Sequence, residues 1–417
     1  MNALHALSVA FHPALVARRA AIAGMLGLLL APSVALRAES PAPERPAKKL
    51  IEYGWDVPYP DQVRKEIREM ERRPFDGIIF RLREWNHAFD PRPWDEAKLK
   101  SQLDALAAIE WKTFTDNFLC LYAANNWKMD WFNDEQWDRI TANLRLTARA
   151  AKIGRCVGLV FDPEPYGDNP WAYAAKNHDR SFAEVEAQVR KRGVQFMAAL
   201  QTELPSVRLL TFFHQSLFAG LLDLPDLEQR QSRLAKHPWG LLSAFWNGVL
   251  EAAAPGARII DGYEPAYYFT SGEQFFRAYH LIRQRSLSLV PPALRSKHAA
   301  TVQAGMALYM DQVLGLRQPP EKYLSHYLTP AERLRLFEHN LYFALAVSDE
   351  YVWCYSERMN WWKNQVPDGA EAAVRAARDL IVQGRTDQGD ALSAEVAAFV
   401  AAGRKKMGEA PKAAGRR

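Results

Sequence analysis

The chain has 417 residues, 48% of them apolar and 12% aromatic, the composition of a globular protein with one large barrel or two ordinary domains. Its formal charge of +5 is carried by the C-terminal stretch, where Arg404, Lys405, Lys406, Lys412, Arg416 and Arg417 stand against Glu409 alone. With Arg18, Arg19 and Arg37 also set aside, the body is near neutral or slightly acidic, which excludes the electrostatic footprint of a nucleic-acid-binding protein.

Arg18-Arg19 precede the apolar run Ala20 to Leu30, and Ser33-Val34-Ala35 offers small residues at cleavage spacing. This pattern predicts a signal peptide over residues 1–38 and an exported protein, periplasmic or extracellular. The run is short for a bilayer crossing and no second candidate follows, so no membrane span is expected in the mature protein. Residues 39–49, rich in Pro, Ala and charge, read as a linker. Residues 50–403 read as a catalytic domain and 404–417 as a basic disordered tail. Cys120, Cys156 and Cys354 sit in apolar runs without metal-type spacing, as buried free thiols do; one disulfide with an odd thiol left over is the other reading.

From Leu50 onward, strand-like and helix-like runs alternate. Strand candidates are Leu50–Asp56, Phe75–Arg83, Phe114–Ala123, Cys156–Pro163, Val207–Gln215, Arg258–Tyr263, Thr301–Asp311 and Tyr351–Glu357. Helical spacing fills the gaps, as in Val63, Ile67 and Met70 after Pro60. Ser181 with Glu184, and Thr329 with Glu332, have capping-box spacing. Eight strands each followed by a helix predict an α/β fold, a single (β/α)8 TIM-type barrel with elaborated βα loops. Tyr53 to Pro58 lacks a dinucleotide fingerprint, and no cofactor or metal is expected.

In such a barrel, working residues gather at the C-terminal strand ends. The fourth strand ends in Asp162-Pro163-Glu164-Pro165-Tyr166. Residues two apart on a strand share a face, and the prolines mark where pairing stops. Paired carboxyls there suit acid/base chemistry on glycosidic bonds; a structural pair capping loop amides is the plain alternative. Other strand ends add Trp55 and Asp56, Arg81 and Arg83, His214, Tyr263 and Glu264, Tyr309 and Asp311, and Tyr355 and Glu357. Asn126 and Trp127 follow the third strand and Trp361 the eighth, where indoles serve either as sugar platforms or as packing. Arg81 and Arg83 either hold substrate carboxylates or neutralise barrel acids. Alternation on the seventh and eighth strands turns Ala307, Tyr309 and Asp311, and Trp353, Tyr355 and Glu357, to the lumen.

The barrel count and these acids resemble (β/α)8 glycoside hydrolases. Asp162-x-Glu164 is similar to the end of the chitinase D-x-x-D-x-D-x-E motif, with Val157 and Val160 at the earlier acid positions. Glu164-Pro165 resembles the Asn-Glu-Pro of the large retaining β-glycosidase clan, with Pro163 in place of Asn and Asp311 at the place of the strand-7 nucleophile. The resemblance implies Glu164 as the acid, partnered by Glu264, Glu357, Asp311 or the adjacent Asp162. The expected function is an exported glycoside hydrolase acting on a poly- or oligosaccharide. A non-catalytic carbohydrate-binding barrel, or a barrel hydrolase or lyase acting on a non-sugar, are the alternatives.

Overall fold

The structure, a computed structural model, describes residues 47–123, 127–173 and 179–409. The expected signal peptide and residues 410–417 lie outside the described residues. Nine strand segments run β1 (Lys49–Gly54), β2 (Gly77–Phe80), β3 (Phe118–Tyr122), β4 (Gly158–Asp162), β5 (Arg208–Thr211), β6 (Arg258–Asp261), β7 (Val302–Ala304), β8 (Met306–Tyr309) and β9 (Tyr351–Ser356). They pair in the order β7-β6-β5-β4-β3-β2-β1-β9-β8, every pair parallel.

The two ends of that row are halves of one stretch. β7 pairs with β6, β8 pairs with β9, and only Gly305 lies between them. The ring closes there as an eight-stranded barrel, so the expected fold stands. The expected continuous strand Thr301–Asp311 is corrected: it breaks at Gly305 and ends at Tyr309, and Asp311 lies in the first turn of a short helix, Met310–Leu314. A side chain at position 305 would set its Cβ 2.8 Å from Ile260 Cγ2 and 3.1 Å from the Asp261 carbonyl oxygen, so the seam admits only glycine without a shift.

Alternation sorts each strand into an inner and an outer set. Ile51, Ile79, Phe118, Cys120, Val160, Leu210, Ile260 and Ala307 fill the lumen, with Tyr351 and Trp353 from β9. Leu50, Ile78, Leu119, Leu159, Leu209, Ile259 and Val352 face the helices. The amphipathic helix Pro60–Met70 buries Val63, Ile67 and Met70 as its spacing predicts. Both expected capping boxes form, Ser181 with Glu184 and Thr329 with Glu332. The three cysteines are buried and free.

Two boundaries shift. Lys49, placed in the linker, is the first residue of β1 and registers with Tyr351. The expected tail from 404 begins inside a helix, Thr386–Glu409, which buries Leu392, Val396 and Val400; Arg404 donates to Thr270 Oγ1 at 2.8 Å. No helix among the described residues is long and apolar enough to cross a membrane.

The N-terminal end of the barrel is closed by matched charges. Lys49 meets Asp116 at 2.7 Å, Tyr351 donates to Asp116 at 2.7 Å, and Arg208 meets Glu350 at 3.5 Å. The C-terminal end is built differently.

Candidate active site

The C-terminal strand ends open into a cavity of about 660 Å³. Its floor is aromatic: Phe212 stacks on Trp353 with centroids 4.1 Å apart, and Tyr267 stacks on Tyr355 at 5.9 Å. Trp353 Nε1 donates to the Gly262 carbonyl at 2.8 Å, which locks the indole in place. Three rings at this cavity stay open to solvent, Trp55 (72% exposed), Tyr166 (67%) and Tyr268 (61%). Large apolar side chains held in water beside a cavity are costly, and flat rings are the shape that stacks on a sugar face.

Four carboxyls line the same space: Asp162, Glu164, Glu264 and Glu357. Asp162 is buried, and its Oδ1 accepts the Glu164 backbone N–H at 2.9 Å. Burial first, then the neighbouring Glu164 charge, push its pKa well above the usual carboxylate range. The expected same-face pair is therefore a rigid turn in which Asp162 positions Glu164. Glu164 itself accepts a hydrogen bond from the Tyr166 hydroxyl. Burial raises its pKa and the Tyr166 bond opposes the rise.

Glu264 approaches from β6. The strand stops at Asp261, Gly262 N–H still bonds Thr211 at 2.7 Å, and Tyr263 takes a left-handed conformation with φ of 38°. That turn, followed by Pro265, sends Glu264 over the cavity. Its pKa is pushed up to about 8, by burial first and then by the Glu164 charge. Both carboxyls line the one cavity, Glu164 from the end of β4 and Glu264 from beyond the end of β6, with only β5 between the two strands. Glu357 is held by its backbone N–H, which donates to Asp311 Oδ2 at 2.6 Å.

Of the residues expected from sequence, Trp55, Arg81, Asp162, Glu164, Tyr166, Glu264, Tyr309, Tyr355 and Glu357 meet in this cavity. The others do not line it. Asp311 is fully buried and accepts the Glu357 and Arg358 amides, so the place of a strand-7 nucleophile is taken by a loop cap. Asp56 accepts the Trp361 amide at 3.0 Å and lies against Glu52, whose pKa burial and then Asp56 push well up; both acids sit outside the lumen. Trp361 is fully buried, edge-on to Phe75 at 5.0 Å, which makes it packing and not a platform. His214 is buried against Trp246, 4.0 Å from Asp261. Tyr263 packs toward Phe269 and spends its unusual backbone on aiming Glu264. Trp127 lies under the Arg92 guanidinium, 3.6 Å from its ring centroid, in a separate cavity of about 500 Å³ with Trp85 and Arg83. Asn126 lies outside the described residues.

Sequence reasoning missed Tyr53, Tyr122, Phe212, Tyr268 and Arg317, which also line the main cavity. Tyr53 and Phe212 carry a lumen-facing parity that could have been read from their strands. Arg317 lies past the end of β8, in a stretch with no periodic signal.

The chain matches no protein family and no curated protein. Among solved structures it is similar to the exo-beta-1,4-mannosidase Op5Man5 from Opitutaceae bacterium strain TAV5, at 12% identity and a TM-score of 0.43, over 80% of this chain and 60% of that one. It is also similar to a GH5-4 broad specificity endoglucanase from an uncultured bacterium, at 11% identity and a TM-score of 0.41, over 78% of this chain and 85% of that one. The (β/α)8 architecture rests on the parallel strand order itself.

Proposed function

We propose that this protein is an exported glycoside hydrolase, with Glu164 and Glu264 as the working carboxyl pair and residues 1–38 as its export signal. The observation that carries the reading is the pair itself: two carboxyls from different strands that line one cavity, over an aromatic floor and beside exposed rings. The acids at the opposite end of the barrel are neutralised by Lys49 and Arg208, whereas Glu164 and Glu264 have no ion-pair partner among the described residues. Unpaired half-buried acids cost stability, a cost that a catalytic site explains.

The roles exchange relative to the sequence expectation. Glu264, with a pKa of about 8, holds its proton at neutral pH and is the general acid. Glu164, whose ionised form the Tyr166 hydroxyl supports, is the carboxylate that meets the positive charge developing at the anomeric carbon. As the bond between the anomeric carbon and the leaving oxygen breaks, Glu264 gives its proton to that oxygen. Water then supplies hydroxide to the anomeric carbon, and its remaining proton ends on the carboxyl pair. Asp162 keeps Glu164 in place through its backbone amide.

Release of reducing ends from a broad panel of glycans tests this. Wild type is expected to turn over at least one glycan, and E164Q and E264Q each to lose roughly 10³-fold or more in kcat, consistent with the loss of a catalytic group. Glycan binding that survives in E164Q separates lost chemistry from lost folding. A wild type that cleaves none of the panel while binding glycans would leave a carbohydrate-binding barrel in place of an enzyme.

A further inference from the structure

Two guanidiniums line the cavity, Arg81 and Arg317. Arg81, at the end of β2, has its guanidinium 3.3 Å from the Tyr59 hydroxyl, to which it donates. Arg317 donates to the hydroxyls of Tyr309 and Tyr323, the latter at 3.1 Å, and its guanidinium carbon lies 4.8 Å and 5.2 Å from those two ring centroids. Phenols orient a guanidinium without cancelling its charge. Neither side chain forms an ion pair among the described residues. Other cations behave otherwise: Arg83, two residues from Arg81, pairs with Asp61 at 2.7 Å, and Lys49 and Arg208 are paired with acids at the far end of the barrel. The choice set out for Arg81 in the sequence, substrate carboxylate or barrel acid, is thus narrowed by geometry, because no barrel acid takes it.

Arg317 is the better placed of the two. Two phenol oxygens occupy two of the five donors that a guanidinium carries, which leaves donors of its fork unspent at the cavity. A planar fork held by aromatic faces is pre-organised for a carboxylate, which it meets with two parallel hydrogen bonds. A neutral sugar offers only hydroxyls, which accept single hydrogen bonds but carry no charge to match the guanidinium.

We infer that the cavity selects an acidic glycan, with the carboxylate of a uronic acid unit held by Arg317 and supported by Arg81, which lines the same cavity. This rests on the proposed hydrolase site and specifies its substrate. Trp55, Tyr166 and Tyr268 then stack the ring while Arg317 reads its carboxylate, a division that fixes both the plane and the rotation of the sugar.

Calorimetric titration of the full chain with glucuronate and glucose, and with galacturonate and galactose, tests the inference, since each pair shares a ring and differs at C6. At low salt the uronate of at least one pair is expected to bind roughly tenfold more tightly, the scale of a charge-assisted bidentate contact. Arg317→Met is expected to bring the two members of the pair within about twofold, and Arg317→Lys, which keeps charge but loses the fork, to retain part of the preference. Circular dichroism of each variant checks that the fold survives. Equal affinity for acidic and neutral sugars in wild type, or a preference untouched in both Arg317→Met and Arg81→Met, overturns the inference. Cleavage of neutral glycans in either case leaves the hydrolase reading standing. A wild type that binds none of the four sugars and cleaves no glycan removes both.

Discussion

Tyr166 and Glu264 set the pH range of the proposed chemistry. Glu264 acts while protonated, so activity is expected to fall as pH rises through about 8. Glu164 acts while ionised, and the Tyr166 hydroxyl favours that form. In Tyr166→Phe the opposing influence of burial goes unanswered, Glu164 holds its proton to higher pH, and the acid limb of the rate profile moves upward. At neutral pH kcat is expected to drop by roughly tenfold, the scale of one hydrogen bond to a charged group. A pH–rate profile of wild type and Tyr166→Phe reads both limbs; an unmoved acid limb would remove Glu164 from the ionised role. The Asp162-Pro163-Glu164 stretch was legible as a site because alternation and proline placement are local. Which partner Glu164 meets was not, because Glu264 arrives from another strand through a turn at Tyr263 that no periodicity encodes.

At the scale of elements, the barrel depends on a break. Gly305 lets one stretch of chain serve both ends of the sheet, pairing with β6 before it and β9 after it. Gly305→Val forces a branched side chain against Ile260 and the Asp261 carbonyl and is expected to cost about 1–3 kcal/mol, seen as a lower urea midpoint. A midpoint equal to wild type would mean that the seam is slack. The sequence reading ran this strand through to Asp311 because the alternation of small and apolar residues continues past the break. The C-terminal helix departs from its expectation for the opposite reason: Arg404 to Lys406 look like a tail by charge, yet Leu392, Val396 and Val400 anchor the helix that carries them.

Across the whole molecule, two classes of buried group pull stability in opposite directions with pH. His298 and His339 are held neutral by burial, each with its pKa lowered to about 4, below the ordinary 6.5. Their folded forms bind fewer protons than the unfolded chain, so their contribution is present above about pH 6.5 and is lost as pH falls from there toward 4. Glu186, raised by burial to about 7, does the reverse: its folded form binds more protons, and its contribution is lost as pH rises from about 4 through 7. Urea unfolding at pH 5 and pH 8 separates them. Glu186→Gln is expected to gain on wild type as pH rises and His298→Gln to gain on wild type as pH falls; parallel curves would show that neither group titrates differently on folding.

Local chemistry was enough to determine much of this protein. The count of alternating units, the inner and outer faces of the strands, the two capping boxes and the loading of the strand ends with acids and aromatics all follow from periods of two and 3.6, which a single chain displays. Only the closed ring decided which of those residues share a space. It turned Asp311, Asp56 and Trp361 into caps and packing. It brought Glu164 and Glu264 into one cavity. It left Arg317 on its tyrosines with no ion pair among the described residues. Those are relations between strands far apart in sequence, set by register and by turns at Gly305 and Tyr263, and no local pattern records them.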